Sequence, residues 1–173
     1  MRSRTAAHAR RHTGPALHMT ADAGEGRGRH RVPASVDEIV RAIRECEYAR
    51  LCAIETLEAS RDCVRVAMDV AGKRNGFGSP HGGAIFALAD QAFGLAANLD
   101  GLASVALSAQ ISFLTVARGG RLEAVARRVD ETGLLSIYEV SVFDGDRCIA
   151  LFRGVGHKLD DDPPAAGDGT SRN

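Results

Sequence analysis

The sequence predicts an α+β domain in which one long buried helix packs against an antiparallel sheet. Residues 83–99 are apolar nearly all round a helix, so this helix must be covered on most sides. Later segments alternate apolar and polar residues, and short Gly-containing connections at 119–120, 132–133 and 144–146 join them, as is typical of antiparallel hairpins. A strongly curved sheet wrapped around the helix satisfies both observations.

Three elements are predicted before the long helix. Ser35 and Glu38 have the spacing of a capping box, which begins a short amphipathic helix that ends near Glu47. Residues 50–60 are weakly patterned and are assigned to a strand. Residues 62–70 form a second strand, because four apolar residues alternate onto one face: Val64, Val66, Met68 and Val70. A Gly-rich loop then leads to the long helix.

Four more strands are predicted after the long helix, beyond a helix cap at Asn98. Three of them cover residues 121–130, 135–143 and 148–157. The strand before these has five apolar residues that the alternation places on one face: Val105, Leu107, Ala109, Ile111 and Phe113.

The composition is that of an ordinary globular protein, with 173 residues of which 45% are hydrophobic. Lys and Arg together number 22, as do Asp and Glu, and this balance argues against a dedicated nucleic-acid binder. No stretch approaches the roughly 18 uninterrupted apolar residues of a membrane span. The four cysteines form no C-x-x-C pair, which gives little support to a metal site and favours reduced thiols in a cytoplasmic protein.

Both ends of the chain are predicted to be disordered tails. Residues 1–34 carry seven arginines and almost no large apolar residue, a composition that cannot bury a core. Residues 159–173 are acidic and rich in Pro and Gly. The folded domain is therefore expected over residues 35–158, and the natural start is either Met1 or Met19.

A carboxylate inside the apolar helix marks the candidate site. Asp90 follows six apolar residues, although a buried carboxylate is costly unless it is paired, hydrogen-bonded or used in function. Asn75 lies six residues before His81, the sequence His81-Gly82-Gly83 begins the helix, and Asp90 lies nine residues after His81. This three-part spacing, with the strands that follow it, resembles the phenylacetic-acid-degradation (PaaI-type) acyl-CoA thioesterases over most of residues 72–155.

The resemblance implies a hotdog fold, hydrolysis of an acyl-CoA without metal or organic cofactor, and homodimers that commonly form tetramers. Thioester hydrolysis needs a group that polarises the carbonyl and an activated attacking oxygen, and the thiolate leaves unprotonated because its pKa is near roughly 8.5. The Gly82 N–H at the helix start suits the first task. Asp90 suits the second, either as the base that activates water or as a nucleophile that forms an anhydride.

The spacing of these two residues predicts a shared site. Gly82 and Asp90 are eight residues apart, about 12 Å along a helix, so one chain cannot bring both to one thioester carbon. A symmetric dimer with antiparallel helices would place Gly82 of one subunit opposite Asp90 of the other. Asp90 would then line a cleft between subunits.

Other residues are weaker candidates. His81 orients the loop or contacts the substrate carbonyl, or merely begins the helix, and Asn75 holds the water or Asp90, or only fills a turn. Family members commonly have a small hydroxyl residue after the acid, where this chain has Gln91. The candidate substrate-binding residues are Gly83, Gln91, Phe93 and Arg118, although Phe77, Phe93 and Phe113 are more typical of a core and Arg118 of a solvated edge. Arg118 would meet the CoA phosphates.

Several functions compete with hydrolysis of an aryl-acetyl- or medium-chain acyl-CoA. A hotdog hydratase would need a His on the long helix five residues after its acid, where this chain has Leu95. A non-catalytic acyl-CoA-binding hotdog module is a second alternative, which the presence of Asp90 opposes and the presence of Gln91 leaves open. Asp90 would otherwise be a structural carboxylate that is paired with a backbone cap or an arginine. An α/β-hydrolase is excluded because the sequence has no G-x-S-x-G.

Overall fold

The computed structural model describes residues 35–99 and 102–159, and these form three helices and six strands. The predicted tails, apart from Leu159, lie outside the described residues. The elements are α1 (Val36–Arg44), α2 (Glu47–Leu51), β1 (Ile54–Ala59), β2 (Val64–Asp69), α3 (Gly82–Ala97), β3 (Ser104–Phe113), β4 (Arg121–Thr132), β5 (Leu135–Asp144) and β6 (Arg147–Lys158). All strand pairs are antiparallel, in the order β1-β2-β4-β5-β6-β3, which confirms the predicted α+β class.

The long helix α3 lies against one face of the curved sheet and supplies the centre of the core. Leu88, Ala89, Ala92 and Leu95 are fully buried there, because α3 is apolar on nearly every side. The α3 C-terminus is capped as predicted by Asn98, whose amide donates to the Gly94 carbonyl at 2.8 Å and whose oxygen accepts from the Ser104 N–H at 2.7 Å. One side of α3, which carries Gly83 and Asp90, stays exposed.

Residues 35–60 contain two helices and a strand, whereas one helix followed by a strand over residues 50–60 was predicted. A short second helix, α2, is capped by Cys46 and occupies part of the segment assigned to a strand, so β1 begins only at Ile54. Ala53, with φ of 50°, turns the chain between them. The strand β2 is as predicted, with Val64, Val66, Met68 and Val70 all buried.

A β-bulge in β3 overturns the prediction of one continuous apolar face. The register against β6 shifts between Ala106 and Ser108, so the extra residue reverses the alternation. Ile111 and Phe113 pair with the buried residues Phe152 and Ala150 and lie on the helix side. Val105 pairs with His157 and points away from α3.

Because Phe93 packs closely against β6, we expect a methyl group at Gly154 to destabilise the fold. A Cβ on Gly154 would lie 2.8–2.9 Å from three carbons of the Phe93 ring, which itself lies 5.8 Å from the rings of Tyr138 and Phe152. The ring has no room to retreat, so Gly154→Ala should lower the free energy of unfolding by about 1–3 kcal/mol, measured by denaturant titration. Gly120→Ala is the control, because nothing lies within 4 Å of its added Cβ. Equal stability of the two variants would contradict this packing.

Candidate functional site

Asn75 organises the loop that leads into α3. Its side-chain oxygen accepts hydrogen bonds from the backbone N–H groups of Phe77 at 2.9 Å and Ser79 at 3.1 Å. Its own N–H donates to the Ser79 carbonyl at 2.8 Å. This is the turn chemistry that favours Asn in loops. The structure therefore places Asn75 as a support of the helix start, and its oxygen is already used within the loop.

His81 fixes the first turn of α3. It is the N-cap residue, and its Nδ1 accepts a hydrogen bond from the Gly83 N–H at 2.9 Å. Its backbone N–H donates to the Lys73 carbonyl at 2.8 Å, which joins the loop to the helix. The His81 carbonyl accepts from Ala84 and Ile85 in the usual helical manner. The cap and the loop together hold the intervening residue, Gly82, in one orientation.

The Gly82 N–H has no hydrogen-bond acceptor among the residues that the structure describes. It is the first N–H of a helix, where the dipole is positive, and the first turn of α3 contains no acidic residue to offset that charge. A carbonyl oxygen that gains negative charge would be stabilised at such a position.

An aromatic ring from β3 lies close to Gly82. A Cβ on Gly82 would be 3.3 Å from the Phe113 Cζ, so the ring borders the space that a side chain at position 82 would occupy. Phe113 is 54% exposed and Phe77 is 96% exposed, which shows that the prediction of both as core residues is wrong for this chain. Phe113 ends β3, which lies at an edge of the sheet, and no further described strand covers it.

Asp90 lies on the uncovered side of α3, two turns after Gly82, and its carboxylate has no hydrogen bond or ion pair among the described residues. Although the side chain is exposed in the single chain, the surrounding protein removes part of its hydration. This burial raises the pKa of Asp90 above the usual value for an aspartate. An unpaired carboxylate with a raised pKa on an apolar helix has the properties of a proton acceptor.

Gln91 points to a different side of the helix from Asp90, because adjacent residues of a helix do not face each other. Its Nε2 donates to the Ile43 carbonyl at the end of α1 at 2.8 Å, and its Oε1 accepts from the Cys46 Sγ at 3.8 Å. Gln91 therefore ties the junction between α1 and α2 to α3. Both ends of its amide are used, so the structure does not bring it into the site with Gly82 or Asp90.

Two further candidates lie apart from Gly82. Phe93 is 2% exposed and packs against Tyr138 and Phe152, so its prediction as a substrate-binding residue is corrected to a core position. The side chain of Arg118 is exposed in the β3–β4 loop, as predicted. That loop is held by Asp144, which accepts from the Arg118 and Gly119 N–H groups, and these bonds hold the pKa of Asp144 below its usual range.

No helix in residues 35–99 and 102–159 is both long enough and apolar enough to cross a bilayer. In the same residues, no group of three or more His, Cys, Asp or Glu side chains is arranged to hold a metal ion.

Comparisons with known proteins place this chain in a family. Residues 77–149 match the model of the thioesterase superfamily. A protein from Deinococcus radiodurans that is provisionally named an esterase is 43% identical over 114 residues, which span 62% of this chain and 76% of that protein. The acyl-coenzyme A thioesterase PaaI of Escherichia coli is 33% identical over 114 residues, which span 64% of this chain and 81% of that enzyme.

The structural comparison agrees with the sequence comparison. The structure of the E. coli PaaI protein from the phenylacetic acid degradation operon matches with a TM-score of 0.67 and 32% identity, covering 72% of this chain and 94% of that one. The chain therefore belongs to the thioesterase superfamily, among its hotdog-fold thioesterases of the PaaI type.

Proposed function

We propose that this protein hydrolyses an acyl-CoA, with an aryl-acetyl or medium-chain acyl group, to the free acid and CoA. One observation carries the proposal: α3 presents a free N–H at its N-terminus and an unpaired carboxylate with a raised pKa on its open side. The similarity to PaaI supports the CoA thioester as substrate.

In this reaction the thioester oxygen accepts a hydrogen bond from the Gly82 N–H. The bond strengthens as the oxygen gains charge in the tetrahedral transition state, and one such donor typically contributes about 2.7–4 kcal/mol. His81 and Asn75 act by holding this N–H in place, and Gly83 permits the tight helix start. The CoA thiolate leaves without a proton, so no general acid is required.

Asp90 supplies the attacking oxygen in one of two ways. As a general base it removes a proton from a water molecule, which then attacks the thioester carbon. As a nucleophile it attacks the carbon itself and forms a mixed anhydride that water later hydrolyses. In both mechanisms, the ionised carboxylate of Asp90 is the active form.

The active unit in this proposal is a dimer that commonly pairs into a tetramer, because Gly82 and Asp90 of one α3 are about 12 Å apart along the helix axis. Asp90 of a second copy, with its α3 antiparallel to the first, would face Gly82. Two features support this contact. Gly83, Asp90 and Gly94 lie on the open side of α3, where a Cβ on Gly94 meets nothing within 4 Å. The free edge of β3 is a site for strand pairing.

Arg118 is exposed near the free edge of the sheet and is proposed to meet CoA phosphates. All four cysteines are free, which supports a cytoplasmic location where thiols stay reduced.

A panel of acyl-CoAs tests the reaction and the substrate class together. We expect release of free CoA, followed with a thiol reagent, for phenylacetyl-CoA and for straight chains of six to ten carbons. Binding of these acyl-CoAs without thiol release would favour the non-catalytic binding module. Formation of a 3-hydroxyacyl-CoA from an enoyl-CoA would favour the hydratase.

A further inference from the structure

The N-terminal half of α3 and the edge strand β3 share an apolar strip that no other element in residues 35–99 and 102–159 covers. The strip consists of Phe86, Ile111 and Phe113. Phe86 and Ile111 are half-buried, whereas Phe113 is 54% exposed. The Phe86 ring contacts the Phe152 ring at a centroid distance of 5.4 Å, and Phe152 is the register partner of Ile111. The strip is thus continuous from the core to the Phe113 ring.

The strip ends at the group proposed to bind the thioester oxygen. The Phe113 ring borders the side-chain position of Gly82, with 3.3, 3.7 and 3.8 Å from three ring carbons to the place that a Gly82 Cβ would occupy. Any larger residue at position 82 would push the ring away. A thioester carbonyl held by the Gly82 N–H would have either its acyl carbon or its sulfur near this ring, and the apolar strip that continues from the ring favours the acyl carbon.

We propose that Phe113 is the specificity-determining residue for the carbon next to the thioester carbonyl, and that the enzyme selects acyl groups unbranched at this carbon. The inference rests on the proposed thioesterase function. The ring forms a wall against a substituent on that carbon, while the rest of the strip accepts an extended apolar chain or an aryl ring. Aryl-acetyl and straight-chain acyl groups share a CH₂ at this position, so the same wall would admit both classes of substrate.

Isomeric substrates isolate this effect, because they differ only in branching. One pair is butanoyl-CoA and 2-methylpropanoyl-CoA, and a second is 3-phenylpropanoyl-CoA and 2-phenylpropanoyl-CoA. We expect the wild-type protein to have the higher kcat/KM for the unbranched member. In Phe113→Ala this ratio should fall by about 10-fold or more, since one misplaced carbon in an apolar pocket changes selectivity by about 10–200-fold. Phe113→Leu should be intermediate.

Val105→Ala is the matched control, because Val105 is a similarly exposed apolar residue of the same strand on the opposite face. It should keep the wild-type ratio. Circular dichroism and thermal melts establish that all variants are folded, as expected for a residue that is 54% exposed. A folded, active Phe113→Ala with the wild-type ratio overturns the inference, as does a wild type without preference. If the wild type releases no thiol from any acyl-CoA, the proposed function itself fails.

Discussion

Asp90→Asn is expected to lower kcat by about 10²–10⁴-fold, the usual range for removing a positioned base, while acyl-CoA still binds. Asn keeps the shape of the side chain but can neither accept a proton nor attack a carbonyl. The pH profile adds a second readout. Because burial raises the pKa of Asp90, wild-type activity should fall on the acid side at a higher pH than for an ordinary aspartate. The residual activity of the variant should lack this limb.

The fold should tolerate this change. A carboxyl whose pKa is raised by folding stabilises the native state below the unfolded pKa, and that contribution is lost as the pH rises through the folded pKa. At neutral pH the ionised Asp90 is therefore a cost to stability, and Asp90→Asn should melt no lower than the wild type. Asp62→Asn, at an exposed carboxylate in the β1–β2 turn, is the control. A wild-type kcat in Asp90→Asn would remove Asp90 from the mechanism.

Mixing two inactive variants should restore activity if the site is shared between chains. Gly82→Pro removes the proposed N–H donor, and proline suits this first helical position. His81, at φ −67° and ψ 137°, already has the backbone conformation that a following proline requires. In a mixed dimer of Gly82→Pro with Asp90→Asn, one site carries both changes and the other carries neither. Activity should rise towards half of the wild-type value for each mixed dimer.

Gly82→Ala separates the lost N–H from steric effects, because it keeps the N–H and makes the same close approach to Phe113. It should retain far more activity than Gly82→Pro. Mixed dimers can be verified with two affinity tags before turnover is measured. If verified mixed dimers stay inactive, both groups act within one chain, and the antiparallel arrangement of two α3 helices is wrong.

The fold was largely predictable because its signals are local. The apolar residues of α3 have a helical period on nearly every side, and Gly133 and Gly145 adopt positive φ at the hairpin turns where the sequence places them. The spacing of His81, Gly82 and Asp90 likewise lies within one segment. Such features can be recognised in the sequence without knowing which other segments pack against them.

The unpredicted features depend on contacts between distant segments. The bulge in β3 comes from its register against β6, which alternation in one strand cannot reveal. The exposure of Phe113 depends on β3 lying at the edge of the sheet. Gln91 bonds to Ile43, 48 residues away, so its role could not be inferred from its position after Asp90.

The cap that His81 places on α3 also fixes the tautomer of its ring. Because Nδ1 accepts the Gly83 N–H at 2.9 Å, the neutral imidazole carries its hydrogen on Nε2. The ring therefore has an N–H free to donate at Nε2, while the lone pair of Nδ1 is occupied by the cap. As long as the cap is intact, the imidazole can donate a hydrogen bond to a substrate or a water molecule but cannot accept one from it.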